Sequence, residues 1–143
     1  EVWRRYQRED VLLIHYFPKK QQYALVHPPL VAADEGGVHY DPQPTPPDAV
    51  CFGSIHPHGL LPAYHSNEDQ TDDIAAPGIH LIVGNVDQPI VSICCVGSDG
   101  DDSFPIPLND VVAVPAWEKP PAEWFVLVPK RTKSRTMNKG VRS

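Results

Sequence analysis

Seventeen prolines spread through 143 residues restrict this chain more than any other feature. Proline has no amide hydrogen and its ring clashes with the preceding helical turn, so it breaks helix interiors but is tolerated at strand edges and in loops. A mainly helical bundle is excluded, and short strands joined by stiff loops are favoured. The length suits one compact domain with its own hydrophobic core. Apolar residues at 41% and charged residues at 21% are ordinary for a soluble globular protein, so there is enough apolar side chain to fill that core.

Local patterns place the elements. Residues 11–17 and 22–26 are β-rich runs separated by Pro18, Lys19, Lys20 and Gln21, which predicts a hairpin. Residues 1–8 mix charge with Val2, Trp3 and Tyr6 and suggest the last turns of a helix; the chain starts at Glu1 rather than Met, as a trimmed chain would. Residues 28–47 are rich in Pro, Asp and Gly, with Leu30, Val31, Val38 and Tyr40 as the apolar anchors, and read as a long loop or irregular edge. A strand is expected over 49–55, delivering His56 at its end. A loop with Gly59 and Pro62 follows, then a polar cluster over 66–73 with room for one helical turn. Strands are expected over 79–83 and 90–96, an acidic turn over 98–102, and shorter strands over 111–114 and 124–128. The sum is an α/β (α+β) class, a strand-dominated sheet flanked by few helices. Residues 1–129 form the expected domain.

A net charge of −6 argues against a nucleic-acid binder, because phosphate contacts need clustered Lys and Arg. Lys130, Arg131, Lys133, Arg135, Lys139 and Arg142 make residues 130–143 a basic tail on an acidic body, read as a solvated extension. Cys51, Cys94 and Cys95 form no Cys-x-x-Cys pair and no even framework, and read as reduced core residues. Neighbours on a strand face opposite ways, so Cys94 and Cys95 cannot address one metal. No apolar run is long enough to span a bilayer and no signal pattern opens the chain, so a cytoplasmic protein without a membrane partner is expected.

Residues 56–69 carry the chemistry: His-x-His, seven residues, Ser, two residues, Asp. On extended backbone, residues i and i+2 share a face with Cα atoms roughly 7 Å apart. His56 and His58 can therefore converge on one ion. A catalytic zinc takes three ligands of the His and carboxylate kind and keeps a fourth position for water, and Asp69 would be the third if the loop folds back at Gly59 and Pro62. Two more parts are needed: a carboxylate to move the proton and a donor for the developing oxyanion. Ser66 can be that donor.

His56-x-His58, Ser66 and Asp69 together resemble the motif of the JAMM (MPN-plus, JAB-domain) zinc metallopeptidases. That resemblance implies a curved mixed β-sheet flanked by helices, one Zn2+, and hydrolysis of the isopeptide or peptide bond after the C-terminus of a ubiquitin-like protein. It also implies a ubiquitin-like protein or its conjugates as partner, and a conjugation enzyme as a further one. The family's catalytic Glu lies in an N-terminal strand before an apolar run. Glu9 matches, preceding Val11-Leu12-Leu13-Ile14 and standing 47 residues before His56, although Leu12 stands where many members carry Gly. Glu35 is the rival, in the turn-like Asp-Glu-Gly-Gly. Family members clamp the partner's extended tail with loops beside the site, for which residues 28–47 and 98–115 are the candidates.

Two other functions fit the class. One is a catalytically silent scaffold of the same fold; the other is a zinc amide hydrolase acting on a sulfur carrier or a small molecule. His15, His27, His39 and His80 read as packing or surface residues, and His65 as a possible orienting group. Glu68, Asp72 and Asp73 read as a solvated acidic rim, with Glu68 or Asp72 as substitute ligands if the loop is shifted.

Overall fold

The computed structural model describes residues 2–41 and 43–113. After helix α1 (Val2–Tyr6), the expected hairpin forms from β1 (Leu12–Phe17) and β2 (Gln22–Val26), with Gln21 in the left-handed region at φ 51° to close the turn. β1 also pairs antiparallel with β5 (Val50–Pro57). β5 runs parallel to β6 (Gly78–Gly84); β7 (Ser92–Ser98) and β8 (Ser103–Pro105) then add antiparallel. The result is a mixed six-stranded sheet in the order β2-β1-β5-β6-β7-β8. A parallel pair needs a crossover, and helix α2 (Asn67–Ala75) lies in the one between β5 and β6. The fold is thus strand-dominated α/β, as the composition and patterns predict.

Register divides the chemistry between the two sides of the sheet, because in-register neighbours point the same way. Ile55, Leu81 and Cys95 share one side. There Leu81 and Cys95 join Ile14 in the buried core, onto which Ile79, Ile106, Leu108, Val111 and Val112 pack. Ser54, His80 and Val96 share the other side with His56, Ile82 and Cys94. The first side is apolar; the second mixes buried Ile82 and Val96 with the polar Ser54, His56 and His80. Gly53 lets β5 approach β6: at φ 147°, a Cβ there would sit 1.7 Å from the Ile79 carbonyl oxygen.

Several expectations need correction. Residues 28–47 are not one loop, for β3 (Leu30–Asp34) and β4 (Gly37–Tyr40) form a second, two-stranded sheet. The flanking prolines and the Asp-Glu-Gly-Gly turn hid it, and that turn is closed by Asp34 Oδ1 accepting from Gly36 N at 2.9 Å. The helical turn expected within 66–73 is a nine-residue helix. β7 starts two residues later than the apolar run, leaving Ile90 and Val91 exposed in the preceding turn. Val111 and Val112 follow a 3-10 turn (Leu108–Asp110) rather than forming a strand, and both amides bond Leu108 O. Cys51 is exposed rather than core, whereas Cys95 is buried. The strand expected over 124–128, the basic tail 130–143 and the end of the 98–115 segment lie outside the described residues. Among the described residues no helix is long and apolar enough to cross a membrane.

Candidate metal centre

β5 carries His56 to the carboxyl end of a parallel strand, the end at which open α/β sheets place their ligands. His58 follows the strand, and its amide donates to Val83 O at 2.8 Å, which continues the ladder and fixes the backbone. Gly59 then turns the chain at φ 59°, with no room for a Cβ against the Trp3 ring of α1. The loop is held down throughout: Val86 N bonds Gly59 O at 3.0 Å, Asn85 N bonds Leu61 O at 2.7 Å, and Ala63 N donates to Ser92 Oγ at 2.7 Å. These bonds deliver Ser66 to the start of α2.

There Ser66 is the N-cap. Its hydroxyl accepts from Asp69 N at 3.1 Å while Asp69 Oδ2 accepts from Ser66 N at 2.8 Å, a capping box with Asp at the third helical position. The box aims Asp69 back at the strand. Its Oδ1 lies 3.0 Å from His56 Nε2 and its Oδ2 lies 3.2 Å from His58 Nε2, with the two Nε2 atoms 3.2 Å apart. The three ligand atoms all lie within 4.8 Å of one another, so the group can hold a metal ion. The His56, His58 and Asp69 expected to converge do so.

Electrostatics follow the geometry. Burial opposes ionisation of Asp69, but hydrogen bonds from His56, His58 and Ser66 overcome it and hold the carboxyl well below the usual carboxylate range. The hydrogen bond to Asp69 raises His58 against its burial, with the charges of Asp69 and Glu9 adding to the rise. Burial, then Glu68, Asp69 and Asp73, raise Asp72. Tyr64 closes one flank, its ring 4.9 Å from that of His58 in an edge-on contact.

A cavity of about 600 Å³ opens over the three ligands, lined also by Glu9, Glu35, Tyr40 and Ser66. Glu9 is buried, immediately ahead of β1, with its amide bonded to Asp34 O at 2.7 Å. Glu35 sits exposed in the β3–β4 turn. Glu68 and Asp72 are exposed while Asp69 faces the histidines, so the substitute-ligand register does not arise. Asp73 is not rim but buried, bonded to His65 and beside His80. His27 pairs with Asp10 at 2.8 Å, and His39 is exposed. Sequence reasoning missed Asp73 and Tyr40; the i, i+4 spacing of Asp69 and Asp73 was the available signal for the first.

Comparison of the chain with models of protein families, with curated proteins and with solved structures returns no match.

Proposed function

We propose that this protein is a zinc-dependent peptidase or isopeptidase of the JAMM type, cleaving after the C-terminus of a ubiquitin-like protein. The observation that carries the reading is the convergence of His56, His58 and Asp69 beneath a cavity that also holds a buried carboxylate and a serine. Two imidazoles and one carboxylate are the donor set of a catalytic zinc. The Nε2 atoms of His56 and His58 stand 3.2 Å apart, close to the roughly 3.3 Å edge of a tetrahedron with bonds of about 2.0–2.1 Å, and Asp69 turns one oxygen to each ring. Bound zinc supplies an acidified water and polarises a carbonyl.

The chain's own groups supply the rest. Glu9 accepts a proton from the attacking water and returns it to the departing amine. Its burial beside the histidines supports this role over Glu35, whose turn leaves it exposed. Ser66 Oγ spends a lone pair on the Asp69 amide, which leaves its O–H to donate to the carbonyl oxygen as charge builds there. The β3–β4 hairpin walls the cavity through Gly37, Val38 and Tyr40, and supports an extended tail as the occupant.

The deciding experiment measures zinc content of the purified protein and cleavage of a ubiquitin-like fusion, an isopeptide-linked conjugate and a sulfur-carrier adduct in parallel. One zinc per chain with cleavage lost in His58→Ala is the expected result. Zinc without cleavage of any of the three would sink the peptidase reading and leave a metal site of another use.

A further inference from the structure

Helix α2 carries a second inward carboxylate, one turn beyond Asp69. Residues i and i+4 lie above one another on a helix face, so Asp69 and Asp73 address the same side of the sheet. Asp73 Oδ2 accepts from His65 Nε2 at 2.9 Å, and its Oδ1 lies 3.1 Å from His80 Nδ1. His80 is 2% exposed; its Nδ1 also lies 2.9 Å from Ser54 Oγ, and its Nε2 donates to Ala76 O at 3.0 Å. The network therefore joins β5 through Ser54, β6 through His80, the C-terminal cap of α2 through Ala76, and the loop just ahead of the N-cap through His65.

The composition of α2 explains why such a network matters. In Asn-Glu-Asp-Gln-Thr-Asp-Asp-Ile-Ala the single buried residue is Asp73. A surface helix ordinarily takes its seating from an apolar stripe, and this one has no such stripe. Its position on the sheet depends on polar contacts with fixed lengths and directions. Asp69 itself supplies one set, but His56 and His58 sit at a strand end. Asp73 supplies the other, against residues inside the sheet. Ser54 and His56 stand at i and i+2 of β5 on one face, so the two contact sets run side by side, one strand repeat apart.

We infer that Asp73, hydrogen-bonded to His65 and packed against His80, is the positioning residue of the metal centre: it sets where α2 lies on the sheet and hence where Asp69 presents its oxygens to a metal. The inference rests on the reading that His56, His58 and Asp69 bind a metal. Groups that orient ligands from behind typically change metal affinity 10–100-fold when removed.

The test uses zinc affinity, by competition with a chromophoric chelator, and the visible absorption of the Co2+-loaded protein. Both are read on the full chain well below its unfolding temperature, for the parent, Asp73→Ala and His65→Ala. A role in folding alone lowers the unfolding temperature but leaves affinity and spectrum unchanged in the folded fraction. Expected for Asp73→Ala is a loss of about 10–100-fold in zinc affinity with altered Co2+ bands. His65→Ala removes a single bond, from a side chain 18% exposed, and is expected to lose about 10-fold. If Asp73→Ala does not fold, His65→Ala decides alone. Folded variants with parental affinity and spectrum overturn the inference while leaving the metal site intact. A parent that binds neither zinc nor cobalt overturns the metal reading and the positioning role with it.

Discussion

Ser66 and Asp69 hold each other in place: the serine hydroxyl accepts the Asp69 amide at 3.1 Å, and the Asp69 carboxylate accepts the Ser66 amide at 2.8 Å. One short segment thus caps a helix and presets a ligand. Replacing Ser66 with Ala should lower stability by about 1 kcal/mol, the usual cost of an N-cap, read from urea unfolding of the metal-free protein. It should also slow cleavage by roughly 10²–10³-fold, as loss of an oxyanion donor does. Ser66→Asp restores a cap but no hydroxyl donor, so it should recover stability and not turnover. Recovery of both would remove the donor role.

Glu9→Gln keeps the size of the side chain and removes its basicity. It should retain one zinc per chain and lose about 10²–10⁴-fold in single-turnover cleavage, while Glu35→Gln stays near the parent. Full activity in Glu9→Gln moves the proton to another group.

Titration of the metal-free protein should separate His58 from His80. The Asp69 hydrogen bond raises His58 above its ordinary 6.5, so the stability it contributes is complete below 6.5 and is lost as pH rises through the higher folded value. Asp69 is depressed from 3.8, so its contribution is complete above 3.8 and is lost as pH falls through the lower folded value. The pair is therefore at full strength between those two ordinary values. Burial lowers His80, which places its midpoint below 6.5 and makes its contribution grow with pH. NMR titration of the ring protons checks both directions; midpoints in the reverse order refute the assignment. Zinc must displace the His58 proton, so affinity should rise with pH through the His58 midpoint.

Gly53→Ala should cost on the order of 2–3 kcal/mol, because its Cβ would collide with the Ile79 backbone at 1.7 Å and its φ of 147° disfavours any side chain. Gly36→Ala is the matched control: its Cβ would meet nothing closer than 3.6 Å, and stability should change little. Denaturant midpoints of the two variants make the comparison.

Much of this protein is decided by short-range pattern, and that part is legible in the sequence. Proline content excludes a bundle, β-rich runs locate β1, β2, β5 and β6, and the parity of extended backbone puts His56 and His58 on one face. The Ser-x-x-Asp spacing holds both a metal ligand and a helix start; only the first is apparent when the residues are read for chemistry, which is why α2 exceeds the expected single turn.

What lies beyond the sequence depends on contacts between distant segments. The β3–β4 hairpin forms a separate sheet from 11 residues set between proline-rich stretches, and its place beside the site is set by Glu9 bonding Asp34 across 25 positions. Asp73 resembles its acidic neighbours in composition, yet it is buried while Glu68 and Asp72 are exposed, because His80 and Ser54 arrive under α2 from two strands 26 positions apart. Burial of a charge is a property of the surroundings rather than of the residue. By itself, the sequence singled out His56, His58 and Asp69 and the facing of the two histidines; only the tertiary structure decided that Asp73 would be buried beneath the helix while its acidic neighbours Glu68 and Asp72 stay exposed.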